Sequence, residues 1–220
     1  MIDAVIFDLD GVLIQSEEVW DEVRVRYVAE QGGRWEERAT RDMMGMSSGE
    51  WSAYLHDELG VPHDPEQINA DVVEGVLAVY RDRLPLIDGA VDAVRRVAGA
   101  WPLGLASSSN RPVIDEVLAR AGITDCFRAT VSSEEVGPGK PAPDVYEEAA
   151  RRVGVDPARC AAIEDSHNGI ASAHAAGMRV IAIPNPGFPP GEGALENADV
   201  VLNSLVELSP AAIAGTDAAA

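Results

Sequence analysis

The residues with the most evident chemistry lie near the start of the chain. Asp8 and Asp10 are two positions apart, directly after the apolar run at 4–7, and Gly11 follows them. A short unbroken apolar run is typical of a strand that is covered on both faces. We therefore expect both carboxylates at the carboxyl end of a buried strand, where open α/β sheets bind ligands. Two carboxylates this close repel each other, and a divalent cation would relieve the repulsion. Taken alone, the pattern fits two solvated turn residues equally well.

Further polar residues follow three later apolar runs. Ser107 comes at the end of the first of these runs, and Lys140 lies in a Gly/Pro-rich loop after the second. Glu164 and Asp165 follow the third. Because the carboxyl ends of parallel strands meet at one edge of a sheet, these groups should converge on the aspartate pair.

The residue types at this edge complement one another. Carboxylates are the oxygen ligands that Mg²⁺ prefers. The hydroxyl of Ser107 and the backbone N–H groups around Ser108, at the amino end of a predicted helix, suit phosphate oxygens. Lys140 adds a compact positive charge, and an aspartate can accept a phosphoryl group as a nucleophile. The set predicts a magnesium-dependent site for phosphoryl transfer.

The elements that must position these groups alternate between strands and helices from about residue 85 onwards. Strands are predicted at 102–106, 127–131, 160–163, 179–183 and 199–202. With helices between them, this order is typical of a parallel sheet covered on both faces. From 15 to 84 the pattern is only helical. We predict an α/β fold: a doubly wound, Rossmann-like parallel-sheet core over 1–14 and 85–220, with an all-helical cap domain inserted at 15–84. The Ala-rich tail after Pro210 is expected to fray.

Composition restricts the class of partner. The 220 residues include 37 acidic and 17 basic ones, a formal net charge of -20. Such a charge repels nucleic acid and anionic membranes, so neither is an expected partner. The two cysteines have no ligand spacing, and the first strand begins too near Met1 to leave room for a signal peptide. We expect a cytoplasmic protein that binds a small phosphorylated metabolite. A monomer is expected, with a dimer as the alternative.

Four motifs resemble those of the haloacid dehalogenase superfamily of phosphotransferases, and the resemblance covers almost the whole chain. The run at 8–12 is similar to the first motif, Ser107 stands at the second, Lys140 at the third, and 164–169 is similar to the fourth. The helical insertion is similar to the cap of the branch that contains β-phosphoglucomutase and related phosphatases.

The resemblance implies a role for each residue. Asp8 would be the nucleophile that forms an aspartyl-phosphate. Asp10 would protonate the leaving alcohol and then activate the water that cleaves the intermediate. The phosphoryl group would be bound by Ser107, Ser108 and Lys140. The implied Mg²⁺ ligands are Asp8, Asp165 and the backbone carbonyl of Asp10. Glu164 would either bind the ion directly or contact the residues that bind it.

Hydrolysis and phosphomutase activity are harder to separate. Trp20 stands where the mutase has a His that gates cap closure, the loop at 45–49 has no Arg, and 53–80 has neither Lys nor Arg. Binding a second phosphate without cations in the cap is costly, so we favour a phosphatase and keep a sugar phosphomutase as the alternative. A non-enzymatic phospho-accepting receiver module is a remote alternative, because such modules are smaller than this chain and carry no helical insertion near their start. Five arginines could contact the substrate, but a solvated face is the favoured expectation for each: Arg24, Arg26, Arg34, Arg41 and Arg81.

Overall fold

The core of the protein is a six-stranded parallel sheet. The computed structural model describes residues 1–43, 46–191 and 193–215. Its strands are β1 (Ala4–Phe7), β2 (Leu103–Ser107), β3 (Phe127–Ser132), β4 (Cys160–Glu164), β5 (Arg179–Ala182) and β6 (Val200–Val201). They are ordered β3-β2-β1-β4-β5-β6, and every neighbouring pair is parallel. The predicted α/β class is confirmed, and each predicted strand is present with ends within one residue of those expected.

Helices precede and follow these strands along the described chain. They are α1 (Glu17–Glu30), α2 (Ala39–Asp42), α3 (Ser48–Asp57), α4 (Pro65–Asp82), α5 (Ala90–Ala98), α6 (Arg111–Ala121), α7 (Asp144–Val153), α8 (His167–Ala175) and α9 (Pro210–Ala214). Between 15 and 84 the described residues form helices α1 to α4 and no strand. The exact domain limits at 14/15 and 84/85 stay a prediction. No helix among the described residues has the length and apolar character that crossing a membrane requires.

Helices cover both faces of the sheet, as the apolar run of β1 predicts. Val5 and Phe7 join the apolar cluster formed with α5 and α6, whereas Ala4 and Ile6 join the cluster formed with α7 and α8. All four side chains are fully buried. The two faces hold β1 at the centre of the sheet, which places the residues after Phe7 at the middle of its carboxyl edge.

The helical insertion is joined to the core by two adjacent chain segments and has its own packing. The backbone N–H of Gln15 donates to the carbonyl of Pro85 at 2.8 Å, so the two connections run side by side. Within the insertion, Gly75 of α4 lies against Val23 of α1. A Cβ at Gly75 would stand only 2.7 Å from a methyl carbon of Val23, so the glycine lets the two helices approach closely.

The tail corrects one prediction. Residues 210–214 form α9 rather than fraying, with the Ser209 side chain accepting a hydrogen bond from the backbone N–H of Ala212. Ile213 is fully buried in the apolar cluster of α5 and α6. Burial of this one apolar residue in an alanine-rich segment explains the difference. The predicted fraying of 216–220 lies outside the described residues.

Candidate active site

Lys140 contacts two acidic residues that lie far apart in the sequence. Asp8 follows β1, Glu164 ends β4, and Lys140 lies in the loop between β3 and α7. The Lys140 ammonium donates to Asp8 Oδ1 at 2.7 Å and to Glu164 Oε1 at 2.6 Å. Burial lowers the pKa of Lys140, but the carboxylates of Asp8 and Glu164 raise the pKa more, so it stands above its ordinary value. The amine is therefore a fixed positive charge at the carboxyl edge of the sheet.

Three buried carboxylates form a group that fits a divalent cation. Asp8, Glu164 and Asp165 each offer an oxygen, and these oxygens lie within 4.8 Å of one another. Burial raises the pKa of Asp8 to about 8, and it raises the pKa of Asp165 as well. Oδ1 of Asp165 is buried and has no hydrogen-bond partner among the described residues. Since Mg²⁺ prefers oxygen ligands and would stabilise the ionised carboxylates, the group is compatible with the predicted cofactor.

Two glycines make room for the carboxylates. A Cβ at Gly11 would overlap the carboxylate of Asp165, and a Cβ at Gly169 would overlap that of Glu164. Gly11 also has a φ of 76°, a conformation that favours glycine. Gly11 therefore allows the first motif to contact the fourth, and Gly169 allows the helix of the fourth motif to pack against Glu164 of the same motif.

Glu164 is held by hydrogen bonds on both oxygens. Oε1 accepts from Lys140 and, at 2.9 Å, from the hydroxyl of Tyr146. Oε2 accepts from the backbone N–H of Asp165 and from both the backbone and the side chain of Ser166. Glu164 thus orients Lys140 and the chain at Asp165, and its role as a cation ligand stays a prediction. The sequence reasoning missed Tyr146, which is fully buried on α7 and reads as a core residue.

Asp10 has a different environment from Asp8. Its Oδ2 accepts from the hydroxyl of Ser109 at 2.7 Å and from that of Ser107 at 3.3 Å. The backbone N–H of Ser109 donates to the Ser107 hydroxyl at 3.0 Å. Ser109 was missed because three consecutive serines cannot be distinguished from the sequence. Lys140 therefore contacts one aspartate of the first motif, while serine hydroxyls hold the other.

Two cavities that share lining residues lie beside these aspartates. The first, of about 280 Å³, is lined by Asp8, Asp10, Lys140 and Asp165 and by the loop at 188–191. Its other lining residues are Glu17, Ser108, Ser166, His167 and Asn168. The second, of about 100 Å³, shares Asp10, Glu17 and Ser108 with the first and extends towards the cap. A wider cleft of about 750 Å³ between α3 and the loop at 136–141 includes Lys140 and Ser108 but neither aspartate.

Arg24 corrects a second prediction. Arg26, Arg34, Arg41 and Arg81 are exposed, as expected. The guanidinium carbon of Arg24, by contrast, lies 5.1 Å from the ring centroid of Trp20 and 4.9 Å from that of Trp51, and the side chain lines the smaller cavity. Arg24 follows Trp20 by four positions, so the two side chains share one face of α1.

Two hydrogen bonds join the cap to the core near the site. The Asn110 amide donates to Oδ1 of Asn69 at 3.2 Å, and the Asn185 amide donates to Oε1 of Gln15 at 2.9 Å. Asn110 also donates to Glu134 at 2.6 Å and is almost fully buried. The loop after β2 that carries the site serines is thereby attached to α4 of the cap.

Comparison with known proteins gives consistent results. The chain is 35% identical over 212 residues to hexitol phosphatase B of Escherichia coli (strain K12), and the match covers 94% of each chain. It is 32% identical to the bifunctional riboflavin kinase/FMN phosphatase of Arabidopsis thaliana. That match covers 93% of this chain but only 54%, about half, of the Arabidopsis protein. Among solved structures, CbbY from Rhodobacter sphaeroides in complex with phosphate superimposes with a TM-score of 0.84 at 28% identity, covering 95% of this chain and 97% of that one.

The family assignment agrees with the motifs. Residues 2–177 match the model of the haloacid dehalogenase-like hydrolases. The matches confirm the predicted superfamily, its β-phosphoglucomutase and phosphatase branch, and the enzyme class, a phosphoric monoester hydrolase. The receiver alternative has no support. The chain belongs to the haloacid dehalogenase-like hydrolase family.

Proposed function

We propose that this protein is a Mg²⁺-dependent phosphatase that hydrolyses a small phosphorylated metabolite, a sugar phosphate or a similar phosphomonoester, through an aspartyl-phosphate at Asp8. The observation that carries the proposal is the contact of Lys140 with both Asp8 and Glu164 beside the carboxylate of Asp165. The similarity to hexitol phosphatase B and to an FMN phosphatase supports a small phosphate ester as the substrate.

The first step transfers the phosphoryl group to Asp8. A carboxylate oxygen of Asp8 attacks phosphorus, and the bond from phosphorus to the leaving oxygen breaks. Asp10, which the hydroxyl of Ser109 holds in place, gives its proton to that oxygen, so the product leaves as a neutral alcohol. Lys140, Ser107 and Ser108 are the chain's own groups for the phosphoryl oxygens. Mg²⁺, when bound by Asp8, Asp165 and the Asp10 carbonyl, supplies positive charge that offsets these oxygens.

The second step releases phosphate. Asp10, now ionised, accepts a proton from a water molecule whose oxygen attacks phosphorus, and the bond between phosphorus and Asp8 breaks. Asp8 and Asp10 thereby return to their starting forms, and inorganic phosphate leaves. One carboxyl group acts first as an acid and then as a base, which requires that Asp10 stay near both the leaving oxygen and the water.

Hydrolysis is favoured over phosphomutase activity. Trp20 is almost fully buried and packs edge-to-face against Trp51 with ring centroids 6.0 Å apart, so it is a packing residue of the cap. Among the described residues that line these two cavities, Lys140 and Arg24 are the only Lys and Arg side chains. A mutase must hold two phosphates of its bisphosphate intermediate, and one cap cation beside two carboxylates is a poor site for the second.

The test is release of phosphate from p-nitrophenyl phosphate and from a panel of sugar, polyol and nucleotide monophosphates. Activity should require Mg²⁺, be abolished by EDTA, and be lost in Asp8→Asn. Conversion of β-glucose 1-phosphate to glucose 6-phosphate with a bisphosphate primer, faster than phosphate release, would instead identify a mutase. Phosphate release that survives both EDTA and Asp8→Asn would overturn the proposal. The predicted monomeric state and cytoplasmic location stay predictions.

A further inference from the structure

Three residues around one small cavity each have a buried polar atom without a partner. The atoms are Oδ1 of Asp10, Oγ of Ser16 and Nε of Arg24, none of which has a hydrogen bond within the described parts of the chain. All three residues line the 100 Å³ cavity. Buried polar atoms are nearly always hydrogen-bonded, because leaving them without a partner is unfavourable. Three such atoms around one cavity indicate a position where a polar ligand supplies the missing partners.

The place of this cavity relates it to the leaving group. Asp10, the residue that must reach the leaving oxygen in the proposed mechanism, lines both this cavity and the larger one. The phosphoryl group belongs beside Asp8 and Lys140 in the larger cavity. The alcohol half of the substrate therefore starts at Asp10, and the smaller cavity is a direction in which it can extend. Its volume of about 100 Å³ has room for roughly three or four non-hydrogen atoms, taking a water-sized share for each.

The charges around the cavity define the chemistry of the ligand. Burial lowers the pKa of Arg24 to about 10, and the nearby Glu17 and Asp21 oppose that shift, so the guanidinium is charged at neutral pH. The same cavity is lined by the carboxyl groups of Asp10 and Glu17. A second anionic group on the ligand would meet two carboxylates and one cation. A hydroxyl group can accept from Arg24 and donate to a carboxylate, so it satisfies both.

We propose that Arg24, with Ser16, forms a subsite for hydroxyl groups on the leaving alcohol, so that Arg24 determines a preference for phosphomonoesters of short hydroxylated chains. The inference rests on the proposed phosphatase function. The guanidinium carbon lies over the rings of both Trp20 and Trp51, so cation–π contacts hold Arg24 at the cavity without using its hydrogen-bond donors.

The test compares esters that differ only in hydroxyl groups. Glycerol 1-phosphate and propyl phosphate have the same three-carbon chain, and p-nitrophenyl phosphate has no hydroxyl in its leaving group. The wild type should turn over glycerol 1-phosphate with the higher kcat/KM of the two alkyl esters. In Arg24→Met, which keeps an unbranched apolar side chain between the tryptophans, kcat/KM for glycerol 1-phosphate should fall about tenfold or more. The values for propyl and p-nitrophenyl phosphate should stay within about twofold.

Two further variants complete the design. Arg24→Gln keeps N–H donors without the charge and should lie between wild type and Arg24→Met. Arg26→Met, a change on the exposed side of the same helix, should leave all three values unchanged. An equal loss for all three esters in Arg24→Met, or no loss for glycerol 1-phosphate, would overturn the subsite. So would a larger loss for 2-phosphoglycolate than for glycerol 1-phosphate, which would assign Arg24 to an anionic group. A wild type that hydrolyses no ester, p-nitrophenyl phosphate included, would overturn the proposed function itself.

Discussion

Gly11 lies so close to Asp165 that a β-carbon on the glycine would overlap the carboxylate of the aspartate. The two residues are 154 positions apart in the sequence and lie in the loops that follow the neighbouring strands β1 and β4. Gly11 therefore has two reasons to be glycine: the left-handed backbone that it adopts, and the absence of a side chain against Asp165.

The two effects can be separated with a pair of variants. Gly32 has a φ of 78°, close to the 76° of Gly11, but no atom would contact a Cβ there. We expect Gly11→Ala and Gly32→Ala each to lower the free energy of unfolding by about 1–2 kcal/mol from the left-handed conformation. Only Gly11→Ala should also displace Asp165 and lose most phosphatase activity. Urea unfolding and p-nitrophenyl phosphate turnover measure the two quantities, and full activity in Gly11→Ala would contradict the close contact.

Lys140 is the only lysine in the chain, which makes its environment measurable by chemical modification. Its side chain is 5% exposed, and its pKa is raised by Asp8 and Glu164 against the effect of burial. Since acetylation requires an accessible neutral amine, acetic anhydride should modify the amino terminus of the folded protein and leave Lys140 unmodified.

Mass spectrometry of intact protein reads the result directly. Folded protein should carry one acetyl group and urea-unfolded protein two, whereas unfolded Lys140→Arg should carry one. Rapid addition of a second acetyl group to the folded protein would show that Lys140 is not enclosed by the two carboxylates.

The raised pKa values of Asp8 and Asp165 predict how metal-free stability depends on pH. The Asp8 carboxyl has its pKa raised from 3.8 to about 8 by burial in the folded protein. Between these values the folded state binds more protons than the unfolded state, so the free energy of unfolding should fall as pH rises from about 5 to 8.

Added Mg²⁺ should oppose this fall. The cation binds the ionised carboxylates, so its stabilising effect should be larger at the upper end of the range. Thermal unfolding with EDTA and with Mg²⁺ at several pH values measures both slopes, and Asp8→Asn should reduce the slope in EDTA. A metal-free stability that rises with pH across this window would contradict the burial of these carboxyl groups.

Much of the site was predictable because topology determines it. The strand ends of a parallel sheet share an edge, so Asp8, Lys140, Glu164 and Asp165 could be grouped before any geometry was known. Tyr146 could not, since on α7 it follows the apolar pattern of the core, and only the packing of that helix brings its hydroxyl to Glu164.

The sequence contained an indication that Arg24 is not fully solvated, but the usual exposure of helix arginines outweighed it. A charged residue in an exposed-looking helix usually lies in solvent, and four of the five arginines do. The spacing of four from Trp20 placed Arg24 on the buried face of α1. The pairing with Trp51 of α3, however, depends on how the cap helices pack, which the helical pattern alone does not determine.

The contact between Asn110 and Asn69 predicts a role for the cap in catalysis. Asn69→Ala removes the cap's acceptor and should lower kcat/KM by about two- to tenfold, the effect of one hydrogen bond, because the cap loses a contact with the loop after β2. Gln67→Ala on the same helix is the matched control, since the Gln67 side chain bonds only to Asp71 among the described residues. Equal activity of Asn69→Ala and wild type would show that this contact does not contribute to catalysis.

The most direct test of the account is the chemical identity of the phosphorylated residue. Wild type and Asp10→Asn are mixed with p-nitrophenyl phosphate and Mg²⁺, quenched in acid and mapped by peptide mass spectrometry. We predict a phosphoryl group on Asp8 in both proteins and a larger fraction in Asp10→Asn, because the loss of the base slows hydrolysis of the intermediate. Phosphorylation at another residue, or undiminished turnover in Asp8→Asn, would contradict the account.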